Sequence, residues 1–99
     1  MNDQEFTIQE FCVRLQAIRD FAYAHYSGEV SELINCKAPS QDQAEHLLDG
    51  LLDFCGEERF LNLFKDTCRH LLSSYPSMVL EYVQLYRTQY EEPDDICNV

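Results

Sequence analysis

Apolar side chains recur every three or four residues along most of the chain, and the runs break only where a helix is easily started or stopped. That spacing lines one side of an α-helix, whereas a strand would turn successive side chains to opposite faces. No stretch alternates β-branched and polar residues with period two. The pattern predicts an all-α bundle of four main helices, over about 7–27, 41–55, 57–74 and 76–91, with a short helical turn near 29–36 and mostly antiparallel neighbours.

The punctuation is specific. Thr7 and Glu10 have capping-box spacing, and so do Ser40 and Gln43 after Pro39. Gly28 and Gly56 are expected to end helices because glycine enters the left-handed region without a Cβ clash. Tyr75-Pro76 marks another break, since a residue before proline is pushed out of helical geometry while proline suits the first helical turn. Ile8, Phe11, Cys12, Leu15, Ile18, Ala22 and Tyr26 fall on one side of the first helix, and Val13, Ala17, Phe21 and Ala24 on the other. A helix apolar on two faces sits in the middle of a bundle or packs on a second copy.

Ninety-nine residues are enough for one modest core. The organisation expected is a single helical domain over 1–92 followed by a flexible acidic tail over 93–99. Eighteen acidic against seven basic residues leave a formal charge of −11, which disfavours direct binding to nucleic acid or to an anionic membrane. The five cysteines are odd in number and widely spaced, as expected of thiols in a reducing cytosol rather than of a disulfide framework. No apolar run has the length of a membrane span and no secretory signal is read at the N-terminus, so a cytoplasmic location is expected.

Motifs for chemistry are missing at the level of spacing. Asp42 and His46, like Asp66 and His70, are one helical turn apart, but both pairs fall on polar faces. No Cys-x-x-Cys, His-x-x-x-His or Glu-x-x-His occurs, and Gly28, Gly50 and Gly56 assemble no phosphate loop. Cys68 and His70 are two residues apart, which turns them to different sides of a helix. No catalytic residue, metal ligand or cofactor is therefore assigned. A metal or redox enzyme using Cys68, His70 and Asp66 stands as a remote alternative.

Two surface features remain. Asp42, Glu45, Asp49 and Asp53 share a helix face, and no lysine or arginine occurs between Lys37 and Arg59. This stripe is a solubilising face or a site for a basic partner, the carboxylates then imitating the charges of a nucleic acid. Tyr82, Tyr86 and Tyr90 form a ladder at four-residue steps, suited to a core margin or to anchoring a partner. With Val13 and Phe21 as candidates for self-association, the expectation is a small acidic, non-catalytic interaction or regulatory protein acting through helix faces, with a protein partner and a homodimeric state. The alternative is a polyanion mimic that inhibits a basic nucleic-acid-binding protein.

Overall fold

The computed structural model describes residues 7–91, which form four helices, α1 (Ile8–Asn35), α2 (Gln41–Leu52), α3 (Glu58–Leu71) and α4 (Pro76–Tyr90). The expected tail over 93–99 lies outside the described residues. Both hydroxyl caps form: Thr7 Oγ1 accepts from the Glu10 amide at 3.0 Å and Ser40 Oγ from the Gln43 amide at 3.1 Å. Pro76 opens α4, where its missing N–H costs no helical hydrogen bond.

The first helix departs from expectation. It does not stop near residue 27; α1 continues through Gly28 to Asn35 and absorbs the separate turn expected near 29–36. Glycine inside a helix costs about 1 kcal/mol relative to alanine. Beyond it, Val30 and Leu33 are buried, each contributing about 1.5–3 kcal/mol, so packing overrides the local stop signal. Neither Gly28 nor Gly56 takes a positive φ. Gly56 instead makes room for a ring, since a Cβ there would stand 3.3 Å from Tyr90 Cε1. The other ends shift inward: α2 closes at Leu52 rather than 55, α3 spans 58–71 rather than 57–74, and α4 ends at Tyr90.

The α2–α3 hairpin is central, with the C-terminal half of α1 on one side and α4 on the other; no Cα atom of α1 lies within 8 Å of one in α4. Leu33, Leu48, Leu51, Phe60 and Leu71 are fully buried. Phe60 stacks on Phe54 at 4.7 Å and meets the Tyr23 ring edge-on at 5.7 Å. On α3, Leu63 and Thr67 are buried with Phe60, Phe64, Cys68 and Leu71, while Leu61 is partly buried against the core and Leu72 is 53% exposed. The Thr67 hydroxyl, 0% exposed, donates to Leu63 O at 2.8 Å and is so satisfied within its own helix. Gly50 lies against Tyr26, whose Cε1 and Cζ would be 2.7 Å from an added Cβ.

The dimensions, 55 × 43 × 19 Å with a radius of gyration of 16.8 Å, exceed the ~12–13 Å radius of a compact domain this long. The excess is α1. Its 28 residues extend over about 42 Å, and the body grips only part of that length.

Candidate interaction surface

Every residue from Thr7 to Phe21 is exposed. This N-terminal length of α1, here called the arm, carries Ile8 at 77%, Val13 at 64%, Leu15 at 38%, Ile18 at 60% and Phe21 at 78% exposure, with Phe11 at 46%. Further along, Ala22, Tyr23 and Tyr26 pack on the core and Val30 and Leu33 enter it. The apolar side of the helix that the body covers from Ala22 onward therefore continues past the body's edge through Leu15 to Ile8.

A polar clasp fixes the arm's root. Arg59 Nη2 of α3 donates to Asp20 Oδ1 at 2.7 Å, and its guanidinium lies 4.9 Å from the Tyr23 ring centroid. Glu57 pairs with Arg59 at 2.7 Å and lies 4.0 Å from Arg19. The hydrogen bond from Arg59, aided by one from Gln16, holds the Asp20 carboxyl below its ordinary range. With no third helix beside it, this clasp and the Tyr23–Phe60 contact set the direction in which the arm leaves the body.

Of the two residues expected to mediate self-association, Val13 and Phe21 are both exposed, on the outer side of the arm. Ile8, Leu15 and Ile18, on the side of the first helix that also carries Ala22 and Tyr26, are left open by the structure as well. The signal that could have found them is the excess of apolar residues over what the other three helices can cover.

The remaining candidates are dispersed. Asp42, Asp49 and Asp53 are exposed and Glu45 half-buried, with no ion pair to any of the four among the described residues. The stripe is not wholly idle, since Asp49 Oδ1 accepts from the Tyr82 hydroxyl at 2.6 Å and Glu45 accepts from Gln41 at 3.1 Å. The tyrosine ladder lines the seam between α4 and the hairpin. Tyr82 is buried, which together with its bond to Asp49 pushes its hydroxyl pKa up. Tyr90 donates to Leu52 O at 2.7 Å and stacks on Tyr86 at 5.3 Å. These hydroxyls and ring faces are engaged within the fold, leaving part of Tyr86 and Tyr90 at the surface.

Cys68, His70 and Asp66 do not converge. Cys68 is buried, His70 is exposed, and Asp66 pairs with Arg69 at 2.8 Å. A groove of about 310 Å³ between α1 and α2 is lined by Glu29, Glu32, Asp42 and His46 among others. No set of three metal-ligating side chains converges among the described residues. Burial pushes the Cys68 thiol up to about 11 and the Cys55 thiol up to about 12, so neither forms thiolate at neutral pH. At pH 8, iodoacetamide is expected to label exposed Cys12 and Cys36 quickly and Cys55 and Cys68 only as the fold opens. Peptide mass spectrometry over a time course reads this, and Cys68 reacting as fast as Cys12 would contradict it.

No helix among the described residues is long and apolar enough to cross a membrane. Comparison with protein-family models, with curated proteins and with solved structures finds no match to this chain.

Proposed function

We propose that this chain is a small acidic, non-catalytic interaction protein of the reducing cytosol whose working surface is the arm, with a protein partner that covers its apolar side. The observation that carries this reading is the run of large apolar side chains from Ile8 to Phe21, exposed on a helix the body does not cover. Contiguous apolar patches of more than a few hundred Å² are uncommon on soluble monomers and mark binding surfaces. An exposed helix of this length is marginal in water, so a partner would also stabilise the arm's conformation. The free thiols at Cys12 and Cys36 suit a reducing compartment.

A photo-crosslinking side chain placed at position 8, 15 or 18 in cells that make the protein tests the reading. A discrete protein adduct is expected from these positions and none from exposed Lys65 on α3. Adducts of equal yield from all four positions, or none from the arm, would count against it.

The unpaired acidic face of α2 favours a second reading, mimicry of a polyanion. That reading requires binding that weakens steeply with salt, whereas binding through the arm does not weaken as salt rises.

A further inference from the structure

We infer that the partner covering the arm is a second copy of this chain, bound with the two α1 helices antiparallel; the inference rests on the reading of the arm as the working surface and names its occupant. Ile8, Phe11, Leu15 and Ile18 are spaced 3, 4 and 3 residues apart, the a/d spacing of two heptads. In an antiparallel pair this spacing is self-complementary, with Ile8 of one copy opposite Ile18 of the other and Phe11 opposite Leu15, which makes four layers around a two-fold axis at position 13. The seam continues the side of α1 that packs on the body from Ala22 onward, so one helix side serves the chain's own core and then the second copy.

Charge permits a like partner and favours this direction. Between Ile8 and Ile18 the only charged residues are Glu10 and Arg14, which cancel, so the whole −11 lies elsewhere in the chain. The arm is thus a place where two strongly acidic copies can meet without like charges in the seam. In a parallel pair the two acidic bodies would begin side by side at Asp20. The antiparallel pair separates those roots by about 20 Å along the helices, about two and a half times the Debye length in physiological salt. It also aligns the helix dipoles favourably.

Area sets the strength. From their exposures the four seam residues offer about 450 Å² per copy, roughly 900 Å² in a pair, below the standard size of stable interfaces and in the range of weak ones. The dimer is therefore a weak one, since area this small leaves little surplus over the cost of association.

Sedimentation velocity of the full chain from about 5 to 500 µM tests this. The mass is expected to rise from 11.6 kDa towards twice that value. Leu15→Glu and Ile18→Glu, at exposed positions that leave helical circular dichroism unchanged, are expected to weaken association at least ~30-fold. Val13→Glu, on the outer side, is expected to leave it within about 3-fold. For direction, Ile8→Cys and Ile18→Cys chains, each lacking Cys12, Cys36 and Cys97, are mixed and oxidised. They should give mainly the mixed disulfide, and a predominance of like-with-like disulfides would overturn the antiparallel pairing. A wild-type chain monomeric at the highest concentration, or a Val13→Glu chain as impaired as Leu15→Glu, would overturn the proposal. If the chain stays monomeric while crosslinks from positions 15 and 18 capture a different protein, the second copy is refuted and the arm stands as an interaction surface. If it stays monomeric and no adduct forms, both fall.

Discussion

Phe60→Ala lowers the free energy of unfolding by about 3–5 kcal/mol, whereas Phe21→Ala leaves it within about 0.5 kcal/mol. The two residues differ only in what surrounds them. Phe60 is 0% exposed, stacked on Phe54, met edge-on by Tyr23 and flanked by the Arg59 guanidinium at 5.5 Å from its centroid. Removing its ring leaves a cavity where α1, the α2–α3 turn and α3 meet, and neighbours locked by that stack relax only in part. Phe21 is 78% exposed, so its truncation removes little from contact with the body. Against a total stability of about 5–15 kcal/mol, the first loss takes a large share of the fold. Urea unfolding at a fixed dilute concentration measures both. A Phe21→Ala chain as destabilised as Phe60→Ala would mean that the body covers the arm.

A second large effect is expected at Leu33. Leu33→Ala costs about 2–5 kcal/mol, and its neighbour Ile34→Ala no more than about 1 kcal/mol. Leu33 is fully buried while Ile34 is 39% exposed, because α1 continues unbroken through Gly28 and brings only the former into the core. Had the chain broken at Gly28, residues 29–36 would form a loosely attached turn and Leu33→Ala would be nearly silent. The same urea titrations decide the matter, and a loss at Leu33 under about 1 kcal/mol would contradict the continuous helix.

The helical class and the positions of α2, α3 and α4 were legible because their signals are local. Ser40 caps α2, Pro76 opens α4, and Leu47, Leu48 and Leu51 repeat with the period of a helix. What was not legible depended on contacts between distant residues. Gly28 carries a stop signal that the burial of Val30 and Leu33 overrides, and no local rule weighs the two. Gly56 reads as a left-handed stop and is in fact placed by its closeness to Tyr90.

The exposed apolar surface of α1 was half legible for the same reason. Two apolar faces on the first helix pointed to Val13 and Phe21 as surplus to the core, and both are exposed. The opposite row, Ile8, Leu15 and Ile18, reads as one stripe with Ala22 and Tyr26, because spacing reveals a stripe but not how far the partner helices reach. The Arg59 clasp joins residues 39 positions apart in sequence, beyond any spacing rule. The tyrosine ladder, readable as an anchor row or a core margin, has its hydroxyls at Tyr82 and Tyr90 bonded to α2.

Amide hydrogen exchange along α1 at about 1 µM, well below the concentration of association, tests most directly that one continuous helix is half core and half uncovered arm. Amides of residues 12–18 should exchange at least ~100-fold faster than those of residues 26–33, since only the latter belong to a packed helix. Equal protection of the two halves in the dilute chain would show the arm covered by its own body, and the surface assigned to a partner would not exist.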